Sequence, residues 1–419
     1  MKRLILLVAI IAACKKSKND PAPVISSITP DNGVYSTIVT INGNHFSTSG
    51  SVVQFNGKEA RVLSATSTVI TAEVPFRADT GPVTVTVGGR TATGPVFNYT
   101  WIRTASTVAG TTSGLTDGPA AYAQFNNMQQ CVVDAQGNIY VVDHGNTRIR
   151  KITPAGMVST FAGSTVGFKD GQGAAAQFKY PQGICIDTQG NLYVTDSENF
   201  RIRKITPSGL VSTFAGSGVA GQADGTGINA QLALPRGMCI DTQGNIYFID
   251  LHRIRKITPA GVVTTVAGST QGYANATGTA AQFSYPLGIC ADAQGNLYVT
   301  DSYNDKIRKI TAAGVVTTLA GSTTGYLDGP GSTAQFNLPA GITIDSTGHL
   351  FVADQLTHKI RRISPEGVVS TYAGNTSGYL DGALDASRFN EPFGICFDDK
   401  GYMYVTDRAN YKVRKIIVE

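Results

Sequence analysis

The 419-residue sequence predicts an all-β protein, in which a small antiparallel sandwich is followed by a closed six-bladed β-propeller. Only 15% of the residues are charged, glycine occupies 47 positions, and a segment of about 53 residues occurs six times. No stretch shows a helical period. This composition excludes a disordered polar chain, a coiled coil and a multi-span membrane protein.

The first 23 residues read as a targeting segment. Residues 1–3 include two basic side chains, and the ten apolar residues that follow are too few to span a bilayer, which is typical of a secretory signal. The segment ends in Ile11-Ala12-Ala13-Cys14, which resembles a bacterial lipobox. The resemblance implies cleavage after residue 13, acylation of Cys14, a tether over 14–23, and a lipid-anchored protein of the bacterial cell envelope, expected at the outer membrane. The alternative is an ordinary signal peptide with a chance cysteine.

Residues 24–99 hold short apolar runs with largely alternating spacing, separated by Asp-Asn-Gly, Asn-Gly and Gly-Gly turns. Such spacing predicts an antiparallel sandwich. The segment resembles the IPT/TIG branch of immunoglobulin-like domains, and three stretches carry the resemblance: Ile28-Thr29-Pro30, Val39 to Phe46, and Val53 to Gly57. Members of that branch are usually spacers or binding modules.

Residues 102–419 contain the repeat. Each unit reads as four strands, for example Gly183 to Asp187, Asn191 to Asp196, Arg201 to Ile205 and Val211 to Gly216. Four short strands per repeat in a closed ring form a β-propeller, which leaves no exposed sheet edge. A fourth-strand phrase, Thr107 to Gly110, precedes the first unit, and the chain stops after a third strand. We therefore expect the sixth blade to take its outer strand from the start of the ring.

The six units resemble the NHL repeat family, through the recurring phrases Gly-Asn-Leu-Tyr-Val-Thr-Asp and Arg-Ile-Arg-Lys-Ile-Thr-Pro. Some NHL proteins bind RNA. Here the basic third strands are accompanied by two aspartates per unit, such as Asp187 and Asp196, and the formal net charge is only +5. We therefore expect arginine–aspartate pairs at the blade edges and no nucleic-acid partner.

Cysteines and histidines are not spaced as metal ligands. Five cysteines (131, 185, 239, 290 and 396) occupy near-equivalent first-strand places, which we expect to be buried and too far apart for disulfides. Some NHL-like propellers are enzymes, including lyases whose metal is held by histidines. The four histidines of the ring, at 144, 252, 349 and 358, lie outside the first strands that reach a propeller channel. We predict no metal, no cofactor and no catalytic residues.

The long connections between blades are the predicted binding surface, because loops of about 15 residues exceed the usual length. One loop position carries an aromatic residue in four units, and two residues later most units carry an aspartate. An aromatic ring beside a carboxylate suits carbohydrate. The predicted ligand contacts are Phe168, Asp170, Asp224, Tyr273, Tyr326, Asp328, Tyr379 and Asp381. The alternative is structural: the aromatics plug seams between blades and Asp-Gly forms turns.

The sequence thus predicts a non-catalytic binding or scaffold lipoprotein with a glycan or protein ligand on the long-loop face. The rival hypothesis is a propeller enzyme of the lyase or lactonase type, which should show clustered ionisable residues at the channel mouth.

Overall fold

The computed structural model describes residues 21–419; the predicted signal peptide, Cys14 and most of the tether lie outside the described residues. The chain divides into two compact units, one ending at Ile102 and including Glu419, the other Arg103–Val418. Residues 21–419 form strands and short 3-10 turns without an α-helix, which confirms the all-β prediction. In the same range, no helix has the length and apolarity needed to cross a bilayer.

The first unit is a sandwich of two sheets. Its strands are β1 (Val24–Thr29), β2 (Asn32–Gly33), β3 (Ile38–Asn44), β4 (Val52–Phe55), β5 (Lys58–Glu59), β6 (Arg61–Ala65), β7 (Val69–Glu73), β8 (Gly81–Val87) and β9 (Arg90–Tyr99). One sheet has the order β1-β3-β7-β6 and the other β2-β9-β8-β4-β5. Alternate residues of the strands, such as Val39 and Ile41 of β3 and Val83 and Val85 of β8, fill the core between the sheets.

The second unit consists of six sheets, each with four antiparallel strands. The innermost strands are Met128–Val133, Pro181–Ile186, Pro235–Ile240, Ile289–Ala291, Pro339–Ile344 and Pro392–Phe397. The second strands are Ile139–Asp143, Leu192–Asp196, Ile246–Asp250, Leu297–Asp301, Leu350–Asp354 and Met403–Asp407. The third strands are Arg148–Ile152, Arg201–Ile205, Arg253–Ile257, Lys306–Ile310, Lys359–Ile363 and Lys412–Val418. The fourth strands are Met157–Ala162, Leu210–Ala215, Val262–Ala267, Val316–Ala320, Val368–Ala373 and, for the sixth sheet, Arg103–Ala109.

The second unit also contains two-residue strands and 3-10 turns. Two-residue strands extend five sheets at their outer edge: Gly118–Pro119, Gly171–Gln172, Gly225–Thr226, Gly329–Pro330 and Gly382–Ala383. The 3-10 turns are His144–Asn146, Gly173–Ala175, Ser197–Asn199, Gly227–Asn229, Gly278–Ala280, Ser302–Asn304, Gln355–Thr357 and Arg408–Asn410.

The ring closes as a β-propeller. Each innermost strand contacts the innermost strand of the next sheet, and that of the sixth sheet contacts that of the first. The sixth sheet is completed by Arg103–Ala109, which pairs antiparallel with the last strand from Arg103↔Val418 to Ala109↔Val413. The predicted exchange of the outer strand is therefore confirmed.

The apolar cores lie between neighbouring sheets. Tyr140 and Val142 of the first sheet, for example, pack with Phe178, Ile184 and Leu192 of the second. The position of Phe178 in this core has an equivalent at each of the six seams between sheets. The residues there are Phe125, Phe178, Leu232, Phe283, Phe336 and Phe389, all fully buried. Because each core needs two sheets, the stability of every sheet depends on its neighbours.

One cysteine prediction was wrong. The Sγ atoms of Cys131 and Cys396 lie 3.4 Å apart, at the seam between the first and sixth sheets. Cys131 stands three residues before its turn aspartate, whereas Cys396 stands two before. A one-residue offset turns a side chain to the other face of its strand, so Cys131 faces back toward the sixth sheet. Cys185, with the common offset, packs instead toward the third sheet.

Candidate ligand-binding face

The long connections between sheets and the turns between second and third strands share one side of the ring, as predicted. Asn146 of such a turn donates its side-chain N–H to the carbonyl of Gly114 in a long connection, at 2.7 Å. Asn199 makes the equivalent bond to Gly167, at 2.8 Å. We call this side the loop face.

Beneath the loop face, the third strand of every sheet carries a fully buried arginine. In the fifth sheet, Nη1 of Arg361 lies 2.9 Å from Oδ2 of Asp354, and Nη2 lies 2.6 Å from Oδ1 of Asp328. The same two nitrogens donate to the carbonyls of Gln335 and Leu327. The set recurs at Arg150, Arg203, Arg255, Arg308, Arg361 and Arg414.

Each of these arginines binds one buried and one half-exposed partner. The buried partner is the last residue of the second strand, and burial raises the pKa of Asp354 to about 6 although Arg361 acts in the opposite direction. The half-exposed partner comes from the long connection, where Asp328 also accepts the backbone N–H of Thr371 at 2.9 Å. In the fourth sheet the amide oxygen of Asn275 replaces the loop carboxylate, 2.8 Å from Arg308.

The predicted arginine–aspartate pairing is thus present, but it was placed wrongly. The arginines lie in the interior rather than at the blade edges. From there they bind the aspartates of the long connections and so fix these connections against the sheets. Asp187, expected to be a partner, instead accepts the backbone N–H groups of Gln189 and Asn191 in its own turn. The actual partners include four of the predicted ligand contacts, namely Asp170, Asp224, Asp328 and Asp381.

The four predicted aromatic contacts each cover a basic side chain. The cation lies 3.8 Å from the ring centre for Arg201 and Phe168, and 5.4 Å for Lys359 and Tyr326. Tyr273 and Tyr379 are placed alike, over Lys306 and Lys412. Tyr326 is 64% exposed and Tyr379 48%, so these rings do not plug the seams. The eight predicted residues form an outer ring on the loop face rather than one pocket.

The centre of the ring is closed. A Cβ atom on any of five first-strand glycines would lie only 2.0–2.4 Å from a carbonyl oxygen of the next sheet; they are Gly183, Gly237, Gly288, Gly341 and Gly394. The first sheet has Gln130 at this place. Its side-chain oxygen accepts the N–H groups of Ile184 (3.1 Å) and Met238 (3.2 Å), and its amide donates to Met238 O at 3.0 Å. Gln130 therefore narrows the axis, and the space that remains beside it measures about 10 Å³.

Above this plug, the loop face holds a blind cavity of about 300 Å³, which we call the central cavity. Its walls come from the residue just before the first-strand glycine (Gln130 in the first sheet) in five of the six sheets, Ala340 of the fifth being the exception, and from the turns between second and third strands. The lining residues are Gln129, His144, Gln182, Arg236, Tyr285, Leu287, Tyr303, Leu338, Gln355, Phe393 and Arg408. A mixture of aromatic rings, amides and cations in a concave site is the usual composition of a small-molecule pocket.

The two cations of the central cavity differ. Arg408 forms an ion pair with Glu391, which also accepts the amide N–H of Gln355 at 3.3 Å. Arg236 has no carboxylate within ion-pair distance among the described residues. Its buried Nε makes no hydrogen bond there, a feature that it shares with the six third-strand arginines. Burial lowers the pKa of Arg236, and the neighbouring hydroxyls of Tyr303 and Tyr285 oppose this effect.

The histidines have separate environments. Nδ1 of His144, at the rim of the central cavity, lies 2.9 Å from the carbonyl of Pro181, and burial lowers its pKa. Nδ1 of His252 accepts the N–H of Tyr285, and that of His358 accepts the N–H of Glu391. His349 contacts Thr347 and Arg362 near the turn of Asp345. Within residues 21–419, no group of three or more His, Cys, Asp or Glu side chains could hold a metal ion.

Sequence reasoning missed the central cavity. Its signal is variation at a fixed place in the repeat: the residue before the first-strand glycine is Gln182, Arg236, Leu287, Ala340 and Phe393 in successive units. The repeated fold explains the constant residues, so this variable position was the place to look for an asymmetric site.

Comparisons with known families agree with this fold. Residues 23–100 match the IPT/TIG domain, residues 178–205 and 283–310 match the NHL repeat, and residues 218–279 match the Teneurin NHL domain. NHL repeat-containing protein 2 of Bos taurus is 28% identical over 326 residues, which cover 67% of this chain and 45% of that protein. The chain thus carries an IPT/TIG domain and NHL repeats, and spans under half the length of that relative.

Solved structures resemble the chain over three quarters or more of its length. A protein of unknown function from Bacteroides thetaiotaomicron has a TM-score of 0.74 at 20% identity, covering 96% of this chain and 99% of its own. An auxiliary nutrient binding protein from Bacteroides ovatus has a TM-score of 0.63 at 20% identity (95% and 98% covered). A gluconolactonase of Xanthomonas campestris has a TM-score of 0.51 at 14% identity (76% and 90% covered). At 14–20% sequence identity, these similarities show a shared fold and nothing further.

Proposed function

We propose that this chain is a non-catalytic binding protein whose ligand, a glycan or a protein, inserts a terminal group into the central cavity. The observation that carries the proposal is the half-buried Arg236, which has no carboxylate partner in the described residues yet lines a cavity with Tyr285 and Tyr303. A half-buried cation without a counter-charge attracts an anionic group, so a ligand could supply the missing acceptors. The auxiliary nutrient binding protein with the same fold is consistent with a binding role.

The plug and the pairing of charges favour binding over catalysis. Gln130 closes the floor, so a ligand must enter and leave on the loop face. Of the carboxylates near the cavity, Glu391 is committed to Arg408, which holds its pKa below the usual range. A paired carboxylate with a depressed pKa is a poor general acid or base at neutral pH. The cavity does bring His144, Arg236 and Arg408 together, which is the clustering that the lyase or lactonase hypothesis predicts at the channel mouth. We favour binding because the carboxylate beside them, Glu391, is paired with Arg408.

Blocking the central cavity tests the proposal. Leu287 stands on its wall, so we expect Leu287→Trp to fill the space and to weaken ligand binding at least ~10-fold, equivalent to about 1.4 kcal/mol. Glycan and peptide arrays on the native chain would identify the ligand, and calorimetric titration would give both affinities. Native affinity in a folded Leu287→Trp protein, or release of a chemically altered ligand, would contradict the proposal.

A companion variant, Tyr326→Ala/Tyr379→Ala, tests the outer ring separately from the central cavity. Because Tyr326 is 64% exposed and Tyr379 48%, this variant should keep its unfolding free energy within about 1 kcal/mol. If the ligand extends from the central cavity over the outer ring, the variant should lose roughly 1–3 kcal/mol of binding energy, about 5- to 150-fold in affinity.

We also propose that Cys14 anchors the protein to the bacterial cell envelope, at the outer membrane, through acyl chains. Each buried CH₂ group of such chains contributes about 0.8 kcal/mol to membrane binding. Cys14→Ser should therefore move the protein from the membrane fraction to the supernatant in high salt, as measured by fractionation and immunoblotting. Continued membrane association of the variant would contradict the anchor.

A further inference from the structure

Arg236 differs from the arginines that stabilise the ring. Each of the six buried third-strand arginines binds at least one carboxylate at the end of its second strand; Arg203 and Asp196, for example, are 2.7 Å apart. Arg236 instead lies on an innermost strand, where the equivalent residues are Gln129, Gln182 and uncharged side chains. The ring does not need a cation at this place, because five other sheets form without one.

Aromatic and imidazole rings hold Arg236 in place. Its guanidinium carbon lies 5.3 Å from the ring centre of Tyr285. Tyr285 contacts Tyr303 edge to face at 5.0 Å and His252 at 4.6 Å. Since Nδ1 of His252 accepts the N–H of Tyr285, the proton of the neutral imidazole is on Nε2. These rings position the guanidinium, but none of them carries a negative charge that would balance it.

The charges of the central cavity specify the ligand. Arg236 contributes one uncompensated positive charge, whereas the charge of Arg408 is cancelled by Glu391. A planar guanidinium fork matches a carboxylate. A dianionic phosphate would bring a second negative charge. The other cation of the cavity, Arg408, is already paired with Glu391 and would not balance that charge. A single negative charge is therefore the best match.

The remaining walls suit a hydroxylated ring. Gln129, Gln182 and Gln355 present amides, which can both donate to and accept from hydroxyl groups. Tyr303 is 62% exposed at the rim, where its ring can stack on the apolar face of a sugar. The cavity volume, about 300 Å³, is at the low end for small-molecule sites and suits the end of a chain rather than its middle.

We infer that the central cavity binds the terminal acidic sugar of a saccharide, with Arg236 binding the sugar's carboxylate. This inference rests on the proposed function and narrows its ligand to a uronic-acid class.

The probes are glucuronic- and galacturonic-acid-terminated disaccharides, each with its methyl ester as a neutral counterpart that is larger by one methyl group. At least one acid should bind the full chain ten-fold or more tightly than its ester, with an affinity that falls as salt is added. Arg236→Gln should abolish this preference while folding normally, because glutamine is native at the equivalent places in the first two sheets. Arg236→Lys should retain part of it, since the charge remains without the fork.

Equal affinity for acid and ester, an acid preference that survives Arg236→Gln, or equally tight binding of a sugar phosphate would overturn the inference. The two proposals fail differently. If neutral glycans or peptides bind in a manner sensitive to Leu287→Trp, the acidic-sugar inference fails and the binding function stands. If no ligand responds to Leu287→Trp, the proposed function fails as well.

Discussion

Asp196→Ala should lower the free energy of unfolding by roughly 3–5 kcal/mol, the largest loss we expect from a single substitution in the ring. Asp196 and Arg203 are both fully buried, and Nη1 of the arginine lies 2.7 Å from the carboxylate. Removing the carboxylate leaves a guanidinium in the interior with only the half-exposed Asp170 as counter-charge. Urea-induced unfolding of the native and variant chains measures the difference.

The chain supplies its own control for this prediction. Asn275 takes the place of the loop aspartate in the fourth sheet, and its amide oxygen still accepts a hydrogen bond from Arg308. Asp170→Asn should therefore be tolerated, at a cost of about 1 kcal/mol or less, because the lost charge is half exposed to solvent. Equal losses for Asp196→Ala and Asp170→Asn would contradict the primary role of the buried strand acid.

Replacing the strand Arg103–Ala109 by a flexible Gly/Ser segment of equal length should open the ring. This strand is the outer strand of the sixth sheet, and its Ala105 and Ala109 are buried. Its loss exposes the backbone of Lys412–Val418 as a free edge, which favours pairing with other chains. We expect a marked fall in melting temperature together with dimers or larger species, detected by calorimetry and size-exclusion chromatography.

The equal length of the replacement keeps the connection between the two units, so any effect is due to lost pairing. A second control replaces residues 218–222 in the exposed connection, where no regular strand is present; this stretch ends before Ala223 and Asp224, the partners of Arg255. A variant of 103–109 that remained monomeric with the native melting temperature would show that the ring closes without this strand.

The period of the sequence was enough to predict the architecture. Four strand phrases per unit, together with the early phrase at Thr107 to Gly110, predicted both the sheets and the exchange of the outer strand, because repeated hydrophobic spacing can be satisfied only by stacking equivalent units. The partner of each arginine could not be predicted in this way. Asp170 and Asp187 are both near Arg203 in the repeat, and only the path of the long connection decides which one reaches it.

Two further features were visible in the sequence as departures from the repeat. The one-residue offset of Cys131 accounts for its position 3.4 Å from Cys396, and Gln130 replaces the glycine found in the other five units. Neither can be interpreted without knowing that first strands surround a common axis. The central cavity follows the same logic, since Arg236 becomes notable only when the ring brings it beside Tyr285 and Tyr303.

Hydrogen exchange of the full chain, with and without a ligand found on the arrays, tests the central claim most directly. Binding in the central cavity predicts protection of residues 234–238, 285–288 and 302–304, with the ligand recovered at its original mass. Protection confined to the outer ring, near residues 323–329 and 376–382, or recovery of a cleaved or rearranged ligand, would contradict the account.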